Sequence, residues 1–204
     1  MVDEYLRQRS VGESPERKKY FENPGQFLKD RKFQEMIESD ESLNYLFRNT
    51  ISLTMLGGSQ QTNVIPPEAW ANLDVRMLPG ENPQALAESL RKVINDPNVT
   101  IEPLSKEFRV ANFSPTNTDL YDAFRKVTAH YFPGTLVLPR LTSGYNEEQR
   151  YRPLGISAYG FNPYTATDAE NSTEHGDDER IRVEEVRRGF QVLYDVVTSV
   201  AAAK

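Results

Sequence analysis

Residues 69–77 alternate between two sets of side chains, and this period of two restricts the segment to a β-strand with unlike faces. Successive side chains of a strand point to opposite sides of the sheet, so each set lies on one face. Pro79-Gly80 then ends the strand. The face expected to meet a core consists of Ala71, Leu73, Val75 and Met77, and the opposite face consists of Trp70, Asn72, Asp74 and Arg76.

The segments on either side of this strand predict a small sheet with a helix. Residues 50–56 also alternate, which predicts a second half-buried strand ending at Gly57-Gly58. Asn82 is a favourable cap for a helix with Pro83 in its first turn, and a further strand follows at 98–104. The order strand, strand, helix, strand accounts for most of an α+β sandwich, in which one sheet carries helices on one face. The apolar stripe of the helix consists of Leu86, Leu90, Val93 and Ile94.

The two ends of the chain differ in character. Residues 1–48 are polar and favour short, solvated helices without evident chemistry. From about residue 111, helices and strands alternate, which is typical of an α/β layer. The pattern predicts a helix over 118–131, short buried strands at 136–138 and 156–161, and a last helix over about 183–201 whose apolar stripe is Val186, Phe190, Leu193, Val197 and Val200.

Composition excludes several classes of protein. The net charge of −6 argues against nucleic-acid binding, which needs a basic surface to replace counterions. No apolar run approaches the roughly 20 residues that span a bilayer, and the chain has no cysteine for disulfides or thiolate metal sites. The first residues lack the apolar stretch of a signal peptide. A cytoplasmic location is therefore favoured, and a secreted or periplasmic one requires a signal upstream of Met1.

Several short stretches from Gly57-Gly58 onward form an ordered set. They are NVIPPEAWANLDVRMLPG at 63–80, SPTNTDLYDAF at 114–124, YFPG at 131–134, LTSG at 141–144, RPLGISAYGF at 152–161 and HGDDERI at 175–181. Together they resemble the zinc peptidase family that includes glutamate carboxypeptidase, aminoacylase, acetylornithine deacetylase and succinyl-diaminopimelate desuccinylase, which is family twenty of the metallopeptidases. The order and spacing of the motifs make this resemblance far more specific than any one of them.

The resemblance implies a fold in two parts. Enzymes of the family have an α/β catalytic domain that binds two zinc ions, with an α+β lid inserted into it. On this basis we expect an incomplete ferredoxin-like lid sandwich followed by the C-terminal part of the α/β catalytic domain. The corresponding segments are a helical polar segment leading into the lid at 1–48, a partial lid or dimerisation domain at 49–110, and the end of the catalytic domain at 111–204.

The partial lid is expected to lack its first strand and helix. In a ferredoxin-like sandwich that strand lies inside the sheet, between two others, so its loss leaves two unpaired edges. Open edges invite association with another strand. We therefore expect the chain to work with a longer polypeptide, such as a missing N-terminal half, or to form a homodimer through its lid.

Arg76 and Asn63 match the residues with which the family's lid binds the free carboxylate of a substrate. Arginine offers a rigid, two-pronged donor that suits a carboxylate. The residues alone leave other interpretations open. Arg76 lies two positions from Asp74 on the same strand face and could form an exposed ion pair with it. Asn63 could be an ordinary turn residue.

His175 matches the last metal ligand of the family. A neutral imidazole is a good zinc ligand, but zinc takes about four ligands, and a single histidine does not complete a site. The alternative is a surface histidine in an acidic loop. The HG-x-x-ER-I context at 175–181 favours the metal ligand.

Ser143 and Gly144 match a loop whose backbone N–H groups approach the bound ligand. Glycine permits that close approach, although it also serves a simple turn. Shortly after this loop, Glu147 occupies a position where many relatives have an aspartate. The additional methylene of glutamate changes the local geometry. Glu147 and Glu148 are adjacent, and such surface glutamates are usually solvated.

The resemblance implies hydrolysis of an amide bond by metal-bound water, assisted by a glutamate. The substrate would be an N-acyl amino acid or a short peptide with a free carboxylate. The family's early His-x-Asp motif and its Glu-Glu pair, which precede the lid, are missing, so no general base can be assigned and the isolated chain is expected to be inactive. The alternatives are a non-catalytic dimerisation module and a binder of acidic metabolites.

Overall fold

The computed structural model describes residues 2–105, 111–142 and 144–202. Two compact units make up the chain. The first unit contains residues 1–113 and 140–145, and the second contains residues 114–139 and 146–204. The described residues form helices together with one antiparallel sheet of two strands.

Short helices form the beginning of the first unit, and they enclose a core. They are α1 (Val2–Arg9), a 3-10 turn (Ser10–Gly12), α2 (Pro15–Glu22), α3 (Pro24–Phe27), α4 (Arg31–Ser39) and α5 (Glu41–Phe47). Phe21 and Phe33 are fully buried, and the Phe33 ring stacks on Tyr20 with centroids 5.3 Å apart. The expectation of solvated helices is therefore wrong for this segment. Each helix contributes only one or two apolar residues, and their convergence depends on the turns between the helices.

The sheet confirms the two strands that the period of two predicted. Strand β1 (Thr50–Gly57) pairs with β2 (Trp70–Arg76) in an antiparallel register that places Thr50 opposite Arg76, with an irregularity between Leu53 and Met55. A glycine is needed at the end of β1, because a Cβ on Gly57 would overlap the indole ring of Trp70. The close approach of these two residues fixes the last pair of the ladder.

Helix α6 (Pro83–Ile94) begins and ends where the sequence predicts. The Asn82 side chain accepts hydrogen bonds from the N–H groups of Gln84 (2.8 Å) and Ala85 (3.2 Å), which confirms Asn82 as the cap. Asn95 ends the helix in the left-handed region, with φ of 49°. No residue of α6 is fully buried; within its predicted apolar stripe Leu86 and Leu90 are half-buried, and Val93 and Ile94 are exposed.

Residues 98–104 do not form the predicted strand. Their alternating pattern is present, but a strand is stable only when a neighbouring strand takes up its backbone hydrogen bonds. The guanidinium of Arg91 donates to the carbonyl oxygen of Ile101 at 2.9 Å, and the Leu104 side chain is 84% exposed. The N–H groups of Asn98 and Val99 donate to Asp96, so this stretch is held by a turn and one arginine contact rather than by a ladder.

In the second unit, α7 (Asp119–Tyr131) packs against α10 (Val183–Ala201). Thr118 caps α7 by accepting a hydrogen bond from the N–H of Tyr121. The core between the helices is aromatic, and the Phe124 and Phe161 rings stack with centroids 4.3 Å apart. The shorter elements are α8 (Glu148–Tyr151), a 3-10 turn (Arg152–Leu154) and α9 (Asp168–Asn171).

The expected strands at 136–138 and 156–161 are absent, and the described part of this unit has no sheet. Both segments nevertheless reach the core, since Val137, Tyr159 and Phe161 pack against the cluster around Phe124. These three residues are only partly buried, and Leu136 and Ile156 are about half exposed, so the prediction of buried segments is correct only in part. Apolar character alone did not supply the partner strands that turn a buried extended segment into a sheet.

Helix α10 buries a different face from the one that its strongest apolar stripe predicts. Its buried residues are Glu185, Gly189, Val192 and Val196, whereas the predicted core residue Phe190 is 70% exposed. Val186, Leu193 and Val197 are exposed with it, and Val200 alone of the predicted stripe packs against the core cluster. The helix is thus apolar on two sides, a pattern typical of helices inside larger cores.

Within the described residues, no helix has both the length and the apolar character needed to cross a membrane.

Candidate functional site

Arg76 ends β2, where the structure pairs it with its neighbour on the same strand face. Its Nη2 atom lies 2.7 Å from Oδ2 of Asp74, and both side chains are more than 40% exposed. An exposed pair of this kind contributes only about 0–1 kcal/mol. The guanidinium therefore already holds a carboxylate, and a ligand carboxylate could replace that of Asp74 at small cost.

A groove in the first unit brings Arg76 together with a second predicted site residue. We call this the β2 groove; its walls are β2 with Met77 and Leu78, one side of α6, residues 98–105, and Leu141, Thr142, Gly144 and Tyr145. The N–H of Gly144 donates to Oγ1 of Thr142 at 3.1 Å. Ser143 lies outside the described residues. Arg76 and Gly144 thus share one concave surface, as a common ligand would require.

Asn63 does not line the β2 groove. It is exposed in a turn that follows Gln61, whose carbonyl oxygen accepts a hydrogen bond from Val64 N–H at 3.4 Å. This placement matches the turn interpretation. Its role in carboxylate binding stays a prediction.

His175 lies in the second unit with an exposed side chain and a strained backbone. Its φ is 65°, in the left-handed region that costs a non-glycine residue about 1–2 kcal/mol. Its N–H donates to Oε2 of Glu179 at 3.1 Å. Strain of this kind is often retained where a side chain has a function, so the backbone supports a role for the imidazole.

The residues present do not fit a complete zinc site. Within residues 2–105, 111–142 and 144–202, no three histidine, aspartate or glutamate side chains are grouped so that they could hold a metal ion. His175 is the one ligand that the motif assigns. We therefore derive no catalytic step through a metal.

Substitution at His175 tests the strain directly. We expect His175→Gly to be more stable than His175→Ala by about 1 kcal/mol, because glycine has no Cβ penalty at positive φ and loses only part of that gain to chain entropy. Urea denaturation of the two variants measures the difference. At His130, inside α7, the order should reverse, since alanine is favoured over glycine in a helix by about 1 kcal/mol. Equal stability of the two His175 variants would refute the left-handed conformation.

The second unit contains a buried carboxylate that no motif in the sequence indicates. Glu185 in α10 accepts hydrogen bonds from Thr165, through its hydroxyl (2.6 Å) and its N–H (3.0 Å). Arg188 lies 3.0 Å away and Arg182 lies 3.9 Å away. The Thr165 hydrogen bonds, followed by the two arginines, hold the pKa of Glu185 below its usual value despite burial. The signal in the sequence was a glutamate three residues after Arg182 and three before Arg188.

A second ion pair, between Glu170 and Arg182, joins the two ends of the segment that connects α9 with α10. Glu170 completes a capping box with Thr167 at the start of α9, and Arg182 contacts Glu170 at 2.9 Å. The backbone hydrogen bond from Thr167 is the main cause that lowers the pKa of Glu170. Together with Glu185, this pair anchors both ends of the segment that carries His175.

Glu147, which stands where many relatives have an aspartate, forms an exposed ion pair with Arg150 at 3.3 Å. Its neighbour Glu148 differs, since the Oε2 atom is buried and has no hydrogen-bond partner within the described residues. The expectation of two solvated glutamates is thus correct for Glu147 alone.

Comparison with known proteins identifies the class to which the first unit belongs. The model of the peptidase dimerisation domain matches residues 13–102, which include both strands and α6. This match begins within the helical segment before β1. Most of the first unit is therefore similar to a peptidase dimerisation domain.

Curated relatives extend the resemblance into the second unit. The chain is 25% identical to the probable carboxypeptidase S-like 2 of Dictyostelium discoideum over 162 residues, which cover 79% of the chain and 31% of that protein. It is 28% identical to the N-fatty-acyl-amino acid synthase/hydrolase PM20D1 of Xenopus tropicalis (79% and 32% covered) and 24% identical to that of Mus musculus (79% and 33% covered). No solved structure matches significantly. The chain is similar to M20 peptidases over these residues, and it spans about a third of the length of these relatives.

Proposed function

We propose that this chain is part of a metal-dependent amidohydrolase that cleaves N-acyl amino acids or short peptides with a free carboxylate, and that it is inactive alone. The observation that carries the proposal is the joint presence of Arg76 and Gly144 in the β2 groove. The names of the relatives, an N-fatty-acyl-amino acid hydrolase and carboxypeptidase S-like proteins, support a ligand with a terminal carboxylate.

In this proposal the residues of the chain bind and orient the substrate. Arg76 exchanges the carboxylate of Asp74 for that of the substrate, and the loop around Gly144 offers backbone N–H groups close to the ligand. His175 supplies one ligand to a metal. Asn63 does not line the β2 groove, so an amide contact from it requires the turn before β2 to move toward the ligand. The general base and the remaining metal ligands come from polypeptide outside this chain. The ferredoxin-like lid, of which β1, β2 and α6 are the described part, presents Arg76.

If a substrate carboxylate replaces Asp74 at Arg76, substitutions at these two residues should change substrate affinity in opposite directions. Arg76→Ala should weaken binding of N-acetyl-phenylalanine roughly 10- to 150-fold, since a charge-assisted contact is worth about 1.5–3 kcal/mol. Asp74→Asn should strengthen binding by up to roughly 5-fold, because it removes the competing carboxylate of an exposed pair. Titration followed by amide chemical shifts measures both dissociation constants.

Two controls accompany the titration. Arg125→Ala removes a similar exposed arginine, paired with Asp122 at 3.3 Å in α7, and should leave binding unchanged. The methyl ester of the ligand lacks the carboxylate and should bind alike to wild type and Arg76→Ala. If Arg76→Ala and Asp74→Asn both leave affinity unaltered, carboxylate recognition by Arg76 is wrong. Hydrolysis of the ligand by the purified chain with added zinc would refute the proposed inactivity.

A second candidate function is a non-catalytic dimerisation module, which the peptidase dimerisation domain of the first unit favours. Sedimentation of the chain without ligand discriminates between the two functions. A dimer that forms without zinc and shows no affinity for the acyl amino acid supports the module. Binding of the acyl amino acid that is equally strong with and without zinc would instead support a binder of acidic metabolites.

A further inference from the structure

The segment that carries His175 is not held by hydrophobic packing. It connects α9 with α10 and consists of residues 171–181, of which only Thr173 is buried. Short turns shape it: the N–H of Gly176 donates to the carbonyl oxygen of Thr173 at 2.8 Å, and the N–H of Glu179 donates to that of Gly176 at 3.2 Å. Turns at the surface open easily, so the conformation of the segment depends on how its two ends are fixed.

One side chain, Arg182, joins the two ends of this segment. Its Nε atom donates to Oε1 of Glu170 at 2.9 Å, and its Nη2 atom donates to the carbonyl oxygen of Thr165, also at 2.9 Å. The guanidinium thus bonds both to α9 and to the chain that precedes it. Because a guanidinium is planar and its donors point in fixed directions, both bonds form together only in a narrow range of arrangements.

The acceptors of Arg182 are themselves fixed. Oε2 of Glu170 accepts hydrogen bonds from the N–H (2.8 Å) and the hydroxyl (3.0 Å) of Thr167. Thr165 donates its N–H and its hydroxyl to Glu185, which is buried in α10. Helix α9 has only four residues, which are too few for a stable helix in isolation. Its position next to α10 therefore depends on these contacts, in which Arg182 links Glu170 with Thr165.

We propose that Arg182 is a positioning residue for His175, because its two bonds hold α9 against the start of α10. They keep His175 in the left-handed conformation before any metal or further polypeptide is present. His175 has φ of 65°, and its N–H donates to Glu179. A segment with free ends loses this conformation, because a non-glycine residue avoids positive φ unless its surroundings impose it. The functional meaning of the inference rests on the proposed role of His175 as a metal ligand, whereas its test concerns the backbone alone.

The preference for glycine at residue 175 reports the conformation of the segment. The unfolding constant of the second unit should be roughly 5-fold larger for His175→Ala than for His175→Gly, because only alanine is strained at positive φ. In an Arg182→Ala background the ratio should fall to about 1 or less, because the released segment no longer requires positive φ. Urea denaturation of the two single and two double variants measures both ratios.

Two further arginine variants show whether the geometry of Arg182 matters. Arg182→Lys keeps the positive charge but cannot donate in two fixed directions, so the ratio in this background should fall as it does with Arg182→Ala. Arg187→Ala is the matched control, since it removes an exposed arginine from the same helix. In that background the ratio should stay at roughly 5-fold.

Hydrogen exchange supplies a second readout in chains that retain His175. The N–H groups of Gly176 and Glu179 should exchange roughly 10-fold faster in Arg182→Ala and Arg182→Lys, because a charge-assisted contact has been lost. Helix α7 should keep its slow exchange in every variant, which shows that the second unit stays folded. Exchange in EDTA and with added zinc should be equal, because the proposed contacts need no metal.

Any of three results would overturn the inference. A ratio that stays near roughly 5-fold in the Arg182→Ala background would show that another contact imposes the left-handed conformation. If Arg182→Lys matches the unaltered chain, charge alone suffices. Protection of Gly176 and Glu179 that requires zinc and is lost in EDTA would assign the conformation to a metal. Failure of zinc to bind His175 in a complete site would count against the proposed function alone, because none of these readouts requires a metal.

Discussion

Phe124→Ala should destabilise the second unit by about 3–5 kcal/mol, the usual cost of removing a buried phenylalanine ring. The ring is 5% exposed and stacks on Phe161, with Tyr121 and Tyr159 in edge contact around it. Its removal leaves a cavity in the middle of the packing between α7 and α10. Urea denaturation followed by hydrogen exchange in α7 measures the loss.

Phe190→Ala is the matched control for this prediction. The substitution is chemically identical and lies in the same unit, but the Phe190 ring is 70% exposed. We expect its effect to stay within about 0.5 kcal/mol, as is usual for surface positions. If Phe190→Ala costs as much as Phe124→Ala, α10 buries the stripe that the sequence predicts, and the described packing is wrong.

Gly189→Ala should destabilise the second unit although glycine is unfavourable inside a helix. Alanine normally gains about 1 kcal/mol at such a position. Here a Cβ would overlap the ring of Tyr164 and contact Pro163, and overpacking of this kind costs about 1–3 kcal/mol. The steric cost therefore exceeds the gain in propensity, and we expect a net loss of up to roughly 2 kcal/mol.

A double substitution separates the two contributions. In a Tyr164→Ala background the ring is gone, so Gly189→Ala should become stabilising by about 1 kcal/mol. Gly25→Ala in α3 is a control without neighbours, since a Cβ there meets no atom within 4 Å. It should be neutral or stabilising. A destabilising Gly189→Ala that persists in the Tyr164→Ala background would show that another contact holds α10 in place.

The elements that the sequence predicted best are those specified by local chemistry. The alternation at 50–56 and 69–77 produced β1 and β2, and Asn82 with Pro83 fixed the start of α6. A period of two and a capping side chain act within a few residues, so they do not depend on the rest of the fold. The ordered motifs indicated the resemblance to the family because each is a short run of residues that can be read without the fold.

Local patterns predict the candidate site only in part. The motif indicated Arg76, and the structure places it in a groove with Gly144. Its ion pair with Asp74 was one of two interpretations that the residues left open. Glu185 was not foreseen, because a glutamate in an amphipathic helix is usually solvated; helical spacing places the two arginines beside it, and only the fold buries it and adds Thr165. The left-handed backbone conformation of His175 is likewise not predicted by its motif.

Local residue patterns account for the two strands, the capped helix α6, the resemblance to the peptidase family and the residues that its motifs single out. Tertiary structure decided which side of α10 is buried, that residues 98–104 remain unpaired, and that the polar first segment encloses Phe21 and Phe33. The physical reason is the range of the interactions. Periodicity and capping are satisfied between near neighbours, whereas burial and strand pairing require a partner that is distant in the chain.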